Sequence, residues 1–167
     1  MHDYQLTPAE IAYLQERLRR DSAELDAIFN ADTAEEQMLV KAKTIVVNGK
    51  NYVPAKEAAD IVGSGVSDIG SQLSKWVREK LIFAFNYAGI DYFPLYALDP
   101  QHKFEPYPAM AEIIAIFGKE KSGWGCAFWF DGVNGFLSGK APKDLIATAP
   151  ELAIKAALLE MQPVTHG

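Results

Sequence analysis

The stretch AKEAADIVGSGVSDIGSQLSKWVREKLIFAFNYAGIDYF, residues 55–93, decides the fold. Ala55 to Val62 is rich in small residues, which let a second helix approach closely. Gly63-Ser64-Gly65-Val66 is a flexible break. Ser67 is the expected N-cap of a second helix running to about Lys80. Leu73, Trp76, Val77 and Leu81 make its apolar side, and Ser71, Gln72, Lys75 and Arg78 lie opposite. Positions 71, 75 and 78 are spaced by four and then three residues, so they share one face. Ile82 to Tyr87 and Ile90 to Phe93 flank Ala88-Gly89 with partial alternation, which predicts a hairpin. The order is helix, turn, helix, hairpin.

Towards the N-terminus, Thr7-Pro8 starts a helix, with Thr as cap and Pro at the first helical position. Ile11, Leu14, Leu18, Leu25 and Ile28 follow at roughly helical spacing. Thr33 with Glu36 is a capping-box pattern, and its helix is expected to reach about Lys41. Residues 1–43 therefore read as a helical arm that packs on the body or on a second copy. Thr44-Ile45-Val46-Val47 is β-branched and predicts a strand, turning at Asn48-Gly49 and returning through Tyr52-Val53 to Pro54.

Towards the C-terminus, Asp99 to Pro108 is polar and proline-rich, and a domain boundary is placed there. Helices are expected at about Ala109 to Phe117 and Trp124 to Phe130. A turn follows at Asp131-Gly132-Val133-Asn134-Gly135, then a loop entering a third helix at Pro142. The last helix runs from Ala149-Pro150 to about Met161. The fold class is mainly α with small β-hairpins (α+β), in segments 1–43, 44–104 and 105–167.

Composition narrows the function classes. The 167 residues are 49% hydrophobic, so a core can be buried. No apolar run approaches the roughly 18 residues that a membrane span needs. Met1-His2-Asp3-Tyr4 carries no secretory pattern, and a single cysteine, Cys126, excludes an internal disulfide. A cytoplasmic protein is expected. The net charge of -6 argues against coating nucleic acid through bulk charge but leaves room for a local reading surface. No cofactor, metal or enzymatic activity is expected. His2, His102 and His166 are scattered without metal-ligand spacing. Gly135 to Lys140 has three residues between its glycines, where a phosphate loop needs four, and Ala141 follows the lysine. Trp124, Phe128, Trp129 and Phe130 read as core or dimer interface, with Cys126 a buried apolar thiol beside them.

Gly139 and Pro142 make a sharp entry into a helix: one permits backbone angles that a Cβ forbids, the other is preorganised for the first turn. The surrounding run, Leu137-Ser138-Gly139-Lys140-Ala141-Pro142-Lys143-Asp144-Leu145-Ile146, with Phe128-Trp129-Phe130 before it, resembles the toxin-binding domain of Xre/MbcA/ParS-type antitoxins. That family pattern is an aromatic helix, an Asn-containing turn, Leu-x-Gly-x-x-Pro-x-Asp-Leu-Leu and a closing helix. Gly139, Pro142, Asp144 and Leu145 fall on it. The middle segment is similar to a winged helix-turn-helix, as in excisionases and MerR-type regulators. It departs from that pattern in one respect. Four residues after Gly65-Val66-Ser67 stands Ser71, where an apolar residue is usual, and Leu73 comes two later. Either the turn is longer or the second helix begins at Ser71.

The resemblance implies an antitoxin that binds over the active-site cleft of a toxin enzyme, commonly a NAD-consuming RES-domain protein. Its last helix and tail, with Lys155, Leu158, Leu159 and Gln162, would lie nearest that cleft. It also implies autorepression by a homodimer on a palindromic operator, with Ser71, Gln72, Lys75 and Arg78 facing the DNA. The alternative is a DNA-binding regulator that keeps the antitoxin-like domain only for dimerisation.

Overall fold

A computed structural model of the chain describes residues 7–9, 33–63 and 68–163. The chain divides into two units, Met1–Gly49 and Lys50–Gly167. The apolar stripe from Ile11 to Ile28 and the cap expected at Ser67 lie outside the described residues.

In the first unit, helix α1 spans Ala34–Asn48. The capping box forms as expected, since the Glu36 N–H donates to Thr33 Oγ1 at 3.1 Å. The strand expected at Thr44–Val47 is absent, and α1 runs through it. Once the helix is nucleated, each added residue gains a backbone bond, and this outweighs the few tenths of a kcal/mol that β-branched residues cost. Thr44 even returns its hydroxyl to the Val40 carbonyl, 3.0 Å away, along the helix. Asn48-Gly49 is accordingly a helix end and not a hairpin turn. Gly49 N–H bonds back to the Ile45 carbonyl, and Lys50 adopts the left-handed region at φ 61°.

The second unit is built from a small sheet wrapped by helices. Strand β1 (Tyr52–Pro54) leads straight into α2 (Ala55–Val62). Helix α3 spans Ile69–Arg78 and is capped by Asp68, whose carboxylate accepts from the Ser71 N–H. Thus the helix begins two residues before Ser71. Gly70 lies where a Cβ would come within 3.6 Å of Ala55 Cβ, which sets the starts of α2 and α3 side by side. The hairpin follows as β2 (Phe85–Tyr87) and β3 (Ile90–Pro94), joined through Ala88 and Gly89, both at positive φ. All pairing is antiparallel in the order β1-β3-β2, so Tyr52–Pro54 finds its partner in β3, with Val53 opposite Phe93.

A second two-stranded ladder, β4 (Leu98–Asp99) with β5 (Glu105–Pro106), leads into α4 (Pro108–Phe117). Helix α5 (Gly123–Asp131) packs on β2, and its Trp124 Nε1–H donates to the Asn86 carbonyl at 3.0 Å. The last helix, α6 (Pro150–Glu160), packs on α4, and its Ala153, Ala156 and Ala157 are buried. The third helix expected at Pro142 is a single 3-10 turn, Pro142–Leu145. The boundary expected near residue 104 lies inside this unit, whose core runs from Tyr52, Leu73 and Ile82 to Met110, Ile113, Phe130 and Ile146. The architecture is mainly helical with small antiparallel sheets.

Candidate interaction surfaces

The motif from Leu137 to Ile146 builds one turn. Asn134 organises it: its side-chain oxygen accepts from the Phe136 N–H at 3.0 Å, and its backbone pairs with Lys140. Gly139 sits at φ 81°, a conformation that a side chain resists. Leu137, Pro142, Leu145 and Ile146 are buried, while Asp144 is exposed. Three of the four motif residues are thus placed as architecture, with Gly139 bending the chain and Pro142 and Leu145 anchoring it beneath α6.

That anchoring fixes which side of α6 meets solvent. Lys155, Leu158, Leu159 and Gln162 are all exposed, with Leu158 at 49% and Leu159 at 44%. Leu152, at 42%, extends the same exposed side. Three large apolar side chains on the outer face of one short helix are an unusual concentration for a surface. Phe136 and Val133 on the motif turn are exposed as well, and Gly135–Leu137 packs against α6. Sequence reading passed over Phe136 and Val133, because nothing in a turn's composition tells an outward aromatic from an inward one.

On α3 the four residues singled out in the sequence come together. Ser71, Gln72, Lys75 and Arg78 are exposed, and Ile69, Leu73 and Trp76 are buried behind them. Lys75 Nζ lies 3.8 Å from Glu79 on the same helix, an exposed pair of little energetic weight. At the hairpin tip, Asn86 Nδ2 donates to Asp91 at 3.0 Å, and Asn86 accepts from the Gly89 N–H.

The same unit holds a largely buried polar knot. The Tyr52 hydroxyl, on β1, stands 2.8 Å from the Tyr96 hydroxyl, 3.2 Å from Asp131 Oδ1 and 3.3 Å from the Ala127 carbonyl. Lys143 Nζ reaches the same Asp131 oxygen at 3.3 Å. Burial pushes both tyrosines above their ordinary range, with the neighbouring Asp131 charge adding to it, so both stay protonated and serve as donors. Burial also raises the Asp131 carboxyl, opposed by Lys143. Cys126 is buried, and loss of solvation lifts its thiol to about 11, which suits packing and not nucleophilic chemistry. The aromatics gather here too: Phe83 stacks on Phe130 and Trp124 lies against Phe85. Among the described residues the buried Trp129 Nε1–H has no acceptor, and the ring stands edge-on to Phe117.

The raised Asp131 carboxyl has a signed consequence. A carboxyl that binds its proton more tightly folded than unfolded favours the fold below the ordinary aspartate range. That contribution is lost as pH rises through the folded value. Asp131→Asn is therefore expected to gain stability relative to the natural chain as pH rises from about 4 towards neutrality. Urea midpoints measured at several pH values check this; parallel profiles for the two proteins would contradict it.

Among the described residues, no three of His, Cys, Asp and Glu come close enough to hold a metal ion. None of the described helices is long and apolar enough to cross a membrane. Asp99, at the end of β4, and the exposed His102 pair at 2.6 Å, and His102, through this hydrogen bond, holds the Asp99 carboxyl below its usual range. His2 and His166 lie outside the described residues. No protein-family model, curated protein or solved structure matches the chain.

Proposed function

We propose that this chain is the antitoxin of a type II toxin–antitoxin pair, a non-enzymatic cytoplasmic protein that neutralises a toxin enzyme by direct binding. The observation that carries the reading is the Leu137–Ile146 motif, folded as a rigid turn beneath a helix with an exposed face of Leu152, Leu158 and Leu159. The face takes a protein: large apolar side chains around one lysine offer dispersion and desolvation, with few groups to hold a small polar substrate. The cognate toxin is of the RES-domain, NAD-consuming kind that the motif implies. Co-expression tests this. The chain should rescue growth and co-purify with the toxin encoded beside it; failure of both, with the toxin expressed, rejects the reading.

The same chain represses its own operon as a homodimer, in this reading, through α3. The exposed Ser71, Gln72, Lys75 and Arg78 support it, since Gln and Arg can pair with base edges while Lys and Ser hold phosphates. The segment from Asn86 to Asp91 has no cation, so contacts to the DNA backbone fall on α3 and not on the hairpin tip. The α2–α3–hairpin order, read this way, is a winged helix-turn-helix module. Exposed Met38, Leu39 and Ile45 on α1 offer a surface for the second copy. Lys75→Glu with Arg78→Glu is expected to weaken binding to a fragment of the operon's own promoter by at least about 100-fold, and to flatten its salt dependence. Fluorescence anisotropy at two salt concentrations measures both. A chain that binds its operator yet fails to neutralise any toxin would favour the alternative, a regulator using the C-terminal helices only to dimerise.

A further inference from the structure

The knot around Tyr52 joins four elements, and its donors and acceptors do not balance in a single way. The Tyr52 hydroxyl has one proton. Three acceptors compete for it: Asp131 Oδ1 at 3.2 Å, the Ala127 carbonyl at 3.3 Å and the Tyr96 hydroxyl at 2.8 Å, which can equally donate to Tyr52. Two arrangements, both with Tyr96 as donor, differ in what they leave on Asp131. In one, Tyr52 donates to Asp131. In the other, it donates to Ala127, and Asp131 keeps Lys143 alone. Lys143 and Tyr52 address the same carboxylate oxygen, which can accept from both; each donor draws on the same negative charge and so weakens the hold of the other.

The ends of this chain of groups belong to different surfaces. Lys143 stands on the Pro142–Leu145 turn, which packs directly on α6. Tyr52 stands on β1, which passes into α2 at Pro54-Ala55, and α2 packs on α3. We propose that Lys143, Asp131 and Tyr52 form a competitive latch that couples the turn beneath α6 to the α2–α3 pair. When Lys143 leaves the shared oxygen, Asp131 grips Tyr52, and β1 and α2 are held more firmly. When Lys143 closes on it, Tyr52 turns to Ala127 and the grip slackens. A macromolecule on the outer face of α6, by shifting the turn beneath, would then alter α2 and α3. The latch itself does not depend on what either surface binds; only that last step rests on the function proposed above.

Hydrogen exchange of the whole chain tests the latch without any ligand. The reporters are the Gly63 N–H, bonded to the Ala59 carbonyl at 3.1 Å, and the Gln72 N–H, bonded to the Asp68 carbonyl at 3.2 Å. Lys143→Met is expected to slow exchange at both by about fivefold, as Asp131 turns wholly to Tyr52. A merely structural lysine would do the opposite, since its loss speeds exchange. Lys143→Arg, which keeps the cation, should leave the rates unchanged. In a Tyr52→Phe background, which keeps the ring and removes the hydroxyl, Lys143→Met should no longer slow either amide. Should Lys143→Met fail to fold, Lys143→Gln carries the same expected sign. Unchanged or faster exchange in these neutral variants, or slowing that persists without the Tyr52 hydroxyl, overturns the proposal.

Discussion

Gly123→Ala is expected to destabilise the second unit by about 3 kcal/mol. The reason is backbone meeting backbone. A Cβ at this position would lie 1.9 Å from the Ala84 carbonyl oxygen, 2.9 Å from its carbon and 3.3 Å from Phe85 Cα. No rotamer change relieves such contacts, because none of the three atoms belongs to a side chain. Either α5 withdraws from the hairpin or the Ala84–Phe85 backbone moves. Withdrawal would strain the Trp124 bond to Asn86 and the contact of Trp124 with Phe85, whose ring centroids lie 4.0 Å apart. Two residues along the same helix, Gly125 supplies the control. A Cβ there meets the Lys121 and Ser122 side chains no closer than 3.4 Å. Gly125→Ala should therefore keep its helix-propensity gain, at most about 1 kcal/mol. Urea unfolding of the two variants, at unchanged m-value, measures the contrast. Equal stabilities would show that α5 does not abut the hairpin as described.

The site of that clash marks a limit of the sequence. Local signals placed most elements well. Ala55–Val62, the Ala88-Gly89 hairpin and the helices after Pro108 and Pro150 all follow from caps, turn residues and helical spacing, which act over a few neighbours. The failures have one cause. Thr44–Val47 looked like a strand because β-branched residues fit a pleated surface, yet the helix started by the Thr33 cap propagated through them. Likewise, a domain boundary was placed in the proline-rich run from Asp99 to Pro108, but Tyr107 N–H bonds to the Ala97 carbonyl and α5 returns to pack on β2. Contacts between residues far apart in sequence leave no periodic trace. The polar knot is the clearest instance: Tyr52, Tyr96, Asp131 and Lys143 are scattered singly, and only the closed fold brings them within reach of each other. The exposure of the α3 residues and of Lys155, Leu158 and Leu159 on α6 was readable because each set lies on a single helix; Gln162 follows the helix end.

If the chain neutralises a toxin as proposed, the largest functional effect is expected on α6. Leu158→Lys with Leu159→Lys should abolish toxin neutralisation while leaving the fold intact. Both side chains are about half exposed and neither belongs to the buried core, and the aliphatic stem of a lysine can cover the part of the surface each leucine covers. Both lie in the last turn of α6, which ends at Glu160, where cations complement the carboxyl end of the helix dipole. Surface changes of this kind alter stability by only about 0.5 kcal/mol. Binding is a different matter, because an apolar anchor seated in a partner's pocket contributes about 2 kcal/mol or more, and an ammonium placed there must shed its water. Two anchors lost together should weaken association by at least about 100-fold, even with allowance for imperfect additivity. Calorimetric titration of purified toxin gives the affinity, and the melting curve of each variant confirms that it folds. Gln162→Ala, one turn beyond on the same exposed side, should cost far less, since its amide can be replaced by water. A doubly substituted chain that still neutralises the toxin would move the contact off α6, towards Phe136 and Val133 on the adjoining turn, the next exposed apolar surface beside the motif.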